Sequence, residues 1–180
     1  RRLTLVEESG LPNVDRRRLI YGHFVNSAVW LAGKYESRNE WMAASGIYQE
    51  IVDIQKQELG ANHWRVRYAM STAEHAKELS SWPSEKLGGW NATVVSEAIM
   101  LRLMEIEKYG DAIQIGVGIV ASRKRLTNRD NIPLANLLLR LAEASLYCGN
   151  HAQAKRFGSE ASDVVRRLLG ENSPDYARCL

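Results

Sequence analysis

Cysteine and proline are scarce in this sequence. Its 180 residues include two cysteines and four prolines. Cys148 and Cys179 are too few for a disulfide framework, and neither lies in a Cys-x-x-Cys or Cys/His ligand spacing. This pattern argues against both a disulfide-stapled secreted domain and a zinc site. We therefore expect no metal and no cofactor.

Long apolar runs are also missing. No segment approaches the roughly 20 apolar residues that a membrane-spanning helix needs. The first residues, Arg1 to Thr4, lead into a charged segment rather than into the apolar core of a signal peptide. We expect no membrane partner, and the cytoplasm is the favoured compartment. Because the chain starts without Met, a fragment of a longer protein is also expected.

Charge of one sign does not dominate. The 24 basic and 21 acidic residues leave a formal net charge of +3 at neutral pH, which does not require a polyanionic partner. A nucleic-acid partner is therefore disfavoured. Apolar residues make up 45% of the chain, enough for one or two domains with a buried core.

Helical periodicity is the main pattern that is present. Prolines at positions 12, 83, 133 and 174 separate long stretches in which apolar residues recur every three or four positions. The pattern predicts helices at about 65–80, 91–107, 134–147 and 152–169. No convincing strand is found, so the predicted fold class is all-α.

The helices recur as similar units. Residues 40–60 match residues 150–170 without a gap, and a third copy occupies residues 108–128. The matched packing positions are Trp41, Tyr109 and His151, followed by Ala44, Ala112 and Ala154. The matched helix-stop and linker positions are Leu59, Gly60, Asn128, Gly149, Leu169 and Gly170. Recurring helix pairs of this kind predict an α-solenoid, because each pair must stack on its neighbours to bury its apolar face.

Two motifs carry a family resemblance. Residues 149–154, Gly-Asn-His-Ala-Gln-Ala, are similar to a Gly-x-Tyr-x-x-Ala turn, and residues 169–177 are similar to a Leu-Gly-x-x-His-Pro-x-x-Ala linker. Both motifs recur earlier in the chain. They resemble the tetratricopeptide repeat family in the longer of its repeat forms, found in kinesin light chains and large bacterial repeat proteins. The resemblance covers residues 18–180 and implies a right-handed α-α superhelix.

The array has an irregular insertion around residues 65–90. The interval from Ala44 to Ala112 is longer than the interval from Ala112 to Ala154, by about 26 residues. The predicted organisation is an N-terminal segment at 1–17, from a preceding repeat or a linker, and a first helix pair at 18–64. An inserted helix and a connection bent by Gly88 and Gly89 follow at 65–90. Residues 91–180 then form two further pairs and start another helix.

Residues for catalysis are not grouped. The four histidines are scattered, and Gly116 and Gly118 lie in a helical repeat without the strand or the Lys-Ser/Thr ending of a phosphate loop. Cys148 and His151 are three positions apart, but they fall on a repeat turn that explains their spacing. We expect no enzyme in this chain.

The resemblance implies recognition of a protein or a peptide. The first helix of each pair is expected to line a concave face, with Trp30, Glu97 and Arg140 as candidate partner-binding residues. The paired asparagines with which this repeat class often holds a peptide backbone are absent at the matching positions. The chemistry of the groove is therefore expected to differ.

Two alternatives stay open at this point. The chain could be the regulatory or sensor array of a larger bacterial protein that carries a catalytic domain, such as a caspase-like CHAT protease. It could also be a nucleic-acid-associated regulator module, with basic clusters at 16–18, 123–125 and 166–167. Because an open solenoid end exposes apolar surface, self-association through truncated ends is a further expectation.

Overall fold

The computed structural model describes residues 13–179, and this part of the chain contains helices and no strands. The all-α class is therefore confirmed. The helices are α1 Asn13–Glu36, α2 Trp41–Leu59, α3 Trp64–Ser80, α4 Ser84–Glu105, α5 Tyr109–Leu126, α6 Ile132–Tyr147, α7 His151–Leu169 and α8 Pro174–Cys179. Most of the predicted segment 1–17 lies outside the described residues, and α1 begins five positions before the predicted boundary at 18.

One turn recurs three times with the same backbone conformation. It contains a left-handed residue with φ of 60° at Asn39, 62° at Glu107 and 71° at Gly149. In each copy the next residue donates its N–H to a carbonyl five positions earlier, over 2.8–2.9 Å. The intervals between the three copies equal those between Ala44, Ala112 and Ala154. The repeat in sequence is therefore also a repeat in local structure.

A second turn recurs after α2 and α7. Gly60 and Gly170 have φ of 82° and 84°, in the left-handed region that strains any residue with a Cβ. Each glycine donates its N–H to the carbonyl four positions earlier. His63 and Ser173 then accept a hydrogen bond from the backbone of the next helix, as N-cap side chains do.

The third copy of this turn departs from the expectation for Asn128. Asn128 does not have a positive φ. Thr127 ends α5 in an extended conformation, and its N–H and its hydroxyl both donate to the carbonyl of Arg123. Asn131 then caps α6 by accepting from the N–H of Leu134. Because Thr127 already satisfies the end of α5, no left-handed residue is needed at Asn128.

Helix α4 begins earlier than the sequence indicates. The predicted start is Asn91, but the helix begins at Ser84, directly after Pro83 in an extended conformation. Gly88 and Gly89 consequently lie inside the helix instead of bending a connection. Burial outweighs their poor helix propensity, because the early start places Trp90 in the core with 3% of its surface exposed.

Two main clusters of buried side chains form the interior. The N-terminal core combines α1, α2 and α3 with Trp90 of α4, and the C-terminal core combines α4, α5, α6 and α7. Helix α3 packs on α2 and also on α6 and α7, which follow much later in the chain. This long-range packing joins the two cores through a helix of the predicted insertion.

The matched packing positions differ in burial. Ala44, Ala112 and Ala154 are buried, as is Trp41. His151 is exposed, and its expected role in packing between repeats stays a prediction. Tyr109 is half-buried and stacks on Tyr147, with ring centroids 4.7 Å apart. Trp41 belongs to the N-terminal core and shares a cavity wall with His75 of α3 and Trp90 of α4.

Candidate recognition site

Trp30 lies on the solvent face of α1. Its side chain is 66% exposed, and the ammonium of Lys34 lies 5.2 Å from the indole centroid. Gly33 and Ser37 follow at helical spacing on the same face. A large aromatic residue with this exposure is available to a partner, and its contact with one stays a prediction.

Helix α4 exposes a row of apolar side chains. Val94, Val95 and Ile99 are 47%, 62% and 51% exposed, whereas Trp90 and Met100 of the same helix are buried. The helix is therefore apolar on both its buried side and its solvent side. Such exposed apolar surface is typical of interaction sites.

A cavity of about 510 Å³ lies between the end of α1 and the middle of α4. Gly33 and Ser37 of α1 form one wall, and Val94 and Val95 of α4 form another. Helices α2, α3 and α5 add polar side chains, and Pro133 of α6 completes it. We call it the polar cavity. Val94 and Val95 belong both to this wall and to the exposed row on α4.

Arg123 is the central charge of the polar cavity. Its residue surface is only 1% exposed, although it carries a full positive charge. The guanidinium donates to Glu97 Oε2 at 2.5 Å, to Thr93 Oγ1 at 3.2 Å and to the carbonyl of Pro133 at 3.2 Å. It also lies 4.8 Å from the ring centroid of Trp90. These contacts compensate for its loss of hydration.

Glu97 therefore has a role that the sequence does not indicate. Its carboxylate is bound to Arg123, and its side chain is 25% exposed. It lines the polar cavity, so the structure places it beside the predicted recognition surface. Its direct contact with a partner stays a prediction.

Two residues that line the polar cavity also carry buried polar atoms without partners in the described part of the chain. Trp41 Nε1 and both ring nitrogens of His75 are buried without a hydrogen-bond partner among the described residues. Burial lowers the pKa of His75 to about 4, and the positive charges of Arg129 and Arg123 add to this effect. Burial raises the pKa of the Glu36 carboxyl, which accepts a hydrogen bond from Tyr48.

Arg140 lies away from this cavity. It is exposed on α6 and donates to Glu143 over 3.1 Å. The described residues of the polar cavity include Glu97 but neither Trp30 nor Arg140. The structure thus places Glu97 in the polar cavity, Trp30 in a separate surface depression with His23 and Leu31, and Arg140 in neither.

A second cavity, which we call the aromatic groove, is not among the sites predicted from the sequence. It lies between α1 and α3 above α2, has a volume of about 500 Å³, and is lined by Tyr48, Trp64 and Tyr68. The carbonyl Oε1 of Gln55 is buried there without a hydrogen-bond partner among the described residues. The spacing of Trp64 and Tyr68, one helical turn apart, is the sequence signal for this aromatic wall.

The basic clusters at the ends of α5 and α7 are paired with carboxylates. Lys124 binds Glu160, Arg166 donates to Asp163 at 3.0 Å, and Arg167 donates to Asp130 at 2.6 Å. Together with the Arg123–Glu97 pair, these contacts reduce the positive charge that a phosphate backbone would meet. The side chains of the cluster at 16–18 lie outside the described residues.

Other kinds of site have no candidate in the described part of the chain. Among residues 13–179 no group of three or more His, Cys, Asp or Glu could hold a metal ion. Within the same range no helix combines the length and the apolar character needed to cross a bilayer. Gly116 lies against the side chains of Leu141 and Met100, so it serves close helix packing. Comparison with protein-family models and with curated proteins finds no match for this chain.

Proposed function

We propose that the chain is a recognition module of tetratricopeptide-repeat type, with stacked helix pairs in a right-handed superhelix. Its support is the recurring turn at Asn39, Glu107 and Gly149, together with the matching repeat in the sequence. On this proposal α1, α4 and α6 are the first helices of their pairs. The face that they share binds a segment of another protein.

The exposed row Val94, Val95 and Ile99 on α4 is the observation that carries this function. Val95 and Ile99 are one helical turn apart, so they form a ridge along the helix. Trp30 is a further exposed aromatic residue, on α1. A ridge of this kind fits the apolar face of an amphipathic helix, and we propose such a helix as the partner segment.

Site-directed photo-crosslinking tests the proposal. A crosslinking amino acid at position 95 should capture a partner from an extract of the cells that make the protein. The same amino acid at Val117, which is 41% exposed on α5, is the matched control. Mass spectrometry then identifies the captured protein and the crosslinked segment.

The purified partner segment provides the decisive measurement. Val95→Asp should weaken its binding at least about tenfold, because a charge must then be desolvated in an apolar contact. Val117→Asp should leave the affinity unchanged. The double substitution of Trp30 and Arg140 by Ala should abolish capture while the chain stays folded. Equal crosslinking at positions 95 and 117, or equal affinities of the two Asp variants, would contradict the proposal.

A further inference from the structure

The aromatic groove is mainly apolar and is open to solvent. Val25 and Val29 of α1 form one wall, and Trp64 and Tyr68 of α3 form the opposite wall. Val29 and Tyr68 are 46% and 37% exposed, so both walls can be reached by a ligand. The volume of about 500 Å³ lies within the range of small-molecule sites. Apolar surface of this kind gains free energy when a ligand covers it.

Aromatic rings distinguish the wall on α3. Trp64 and Tyr68 are one helical turn apart, so their side chains follow one another along the groove. Tyr48 of α2 adds a third ring to the lining. Aromatic side chains pair with another flat ring in offset or edge-to-face geometry, and this pairing adds to the gain from burial. The lining therefore favours a flat aromatic molecule over a saturated one of similar size.

A cation lies at one end of the aromatic groove. Arg65 of α3 belongs to the lining, and its guanidinium lies 5.3 Å from the ring centroid of Trp64. Arg129 is bound to Glu74 and Glu78 of the same helix, whereas Arg65 forms no ion pair with the described residues. The guanidinium of Arg65 can therefore donate to an anionic group of a ligand.

The charges along the aromatic groove differ from one end to the other. Burial raises the pKa of Tyr21, and Arg65 opposes this rise more strongly than Glu58 adds to it. The cation therefore dominates at the end of the groove formed by Tyr21. Burial also raises the pKa of Tyr68, and there the nearby charges add to the rise, because they are the carboxylates Asp175 and Glu36. An anionic group is thus favoured at the Tyr21 end and disfavoured at the Tyr68 end.

We propose that the aromatic groove binds a small molecule with a flat aromatic body and one carboxylate, which contacts Arg65 while the rings lie between Val29 and Tyr68. Arg65 is exposed, so the carboxylate stays in contact with water and loses little of its hydration. No residue of α4 lines this groove, and Trp30 does not line it either. The site is therefore separate from the surface proposed to bind a partner helix.

Three probes of similar size test the class of ligand. Naphthoate is an aromatic anion, naphthamide has a neutral amide in place of the carboxylate, and decahydronaphthoate carries the carboxylate on saturated rings. Each is titrated into the ¹⁵N-labelled full chain near neutral pH while the indole N–H signal of Trp64, assigned with Trp64→Phe, is followed. The signal of Trp82, which lies outside the groove, is the internal reference.

We expect naphthoate to shift the Trp64 signal saturably and to leave the Trp82 signal in place. Naphthamide should bind at least about threefold more weakly, because it lacks the charge that Arg65 attracts. Decahydronaphthoate should bind at least about twofold more weakly, because it has no aromatic face. Equal affinities of naphthoate and naphthamide, or no saturable shift with naphthoate, would overturn the proposal. Decahydronaphthoate binding as tightly as naphthoate would overturn the assignment of an aromatic ligand.

A matched pair of variants tests the contact with Arg65. Arg65→Gln removes the cation, so naphthoate should bind at least about threefold more weakly while the affinity for naphthamide stays nearly the same. Arg67→Gln removes the same charge from an exposed position of α3 outside the groove and should leave both affinities unchanged. Both arginines are exposed, so we expect both variants to fold. Unchanged naphthoate affinity in Arg65→Gln, or equal losses in the two variants, would contradict the contact.

Discussion

The two cores of this molecule differ in what they bury. The C-terminal core is filled mainly with aliphatic side chains, including Leu137, Leu138 and Leu141, each with 0% exposure. The N-terminal core contains more aromatic and small residues, such as Trp41 and Tyr48. Every buried side-chain atom without a partner among the described residues belongs to Tyr21, Trp41, Gln55 or His75. All four residues lie in the N-terminal helices.

Because of this difference, we expect the two cores to contribute differently to the stability of the fold. The aliphatic core gains free energy from burial, and the polar side chains buried near it, such as Arg123, Asn131 and Ser145, have hydrogen-bond partners. The N-terminal helices instead line both the polar cavity and the aromatic groove, where unpaired groups reduce the gain from folding. We therefore expect the C-terminal helices to supply most of the stability.

The largest expected effect comes from opening the C-terminal core. Leu138→Ala should lower the free energy of unfolding by about 2–5 kcal/mol, because it removes buried methyl groups and leaves a cavity. Leu146→Ala on the same helix is the control, since Leu146 is 55% exposed and should change stability by less than about 0.5 kcal/mol. Denaturant unfolding measures both. A small loss of unfolding free energy in Leu138→Ala, similar to that in Leu146→Ala, would show that this core is not closely packed.

Acid should act on the N-terminal core through His75. Its pKa falls from 6.5 to about 4 on folding, so between these values the unfolded chain binds more protons. Stability is therefore full above pH 6.5 and falls as the pH is lowered toward 4. The complete shift corresponds to about 3 kcal/mol.

Unfolding free energies near pH 7 and pH 4.5 should reveal this loss. His75→Phe should lose less stability on acidification than the unaltered chain, whereas His151→Phe should behave like it. Glu36 acts in the opposite direction, because its pKa is raised on folding, but it is present in all three proteins and cancels in the comparison. Equal acid sensitivity of His75→Phe and the unaltered chain would exclude His75 as the cause.

Local signals in the sequence predict much of the helical framework. Apolar periodicity and terminal glycines give α6 and α7 to within two positions, and they also predict α3 within the insertion. Local signals fail where tertiary packing decides the outcome. Asn91 is a good capping residue, but the burial of Trp90 favours an earlier start of α4. Asn128 tolerates a left-handed conformation, but Thr127 makes it unnecessary.

The candidate sites are harder to predict from the sequence than the helices are. Trp30 can be proposed from its place on a first helix, because exposure follows from helical periodicity. The Arg123–Glu97 pair joins residues 26 positions apart on two helices, so it depends on how α4 crosses α5. The polar cavity requires six helices to meet, because Pro133 of α6 also lines it. No local sequence pattern around His75 predicts that these helices meet there.

The smallest expected effect tests how tightly the C-terminal core is packed. A Cβ at Gly116 would clash with Leu141 and lie 2.8 Å from Met100 Sδ, whereas a Cβ at Gly118 has no neighbour within 4 Å. Gly116→Ala should therefore lower the free energy of unfolding by about 1–3 kcal/mol through overpacking. Gly118→Ala on the same helix should raise it by about 0.5–1 kcal/mol, because alanine restricts the unfolded chain and favours helix. Opposite signs in thermal or denaturant unfolding would establish close packing between α4, α5 and α6. Stabilisation by both substitutions would instead mean that this core has room to adjust, and the contrast with the cavity-bearing N-terminal core would disappear.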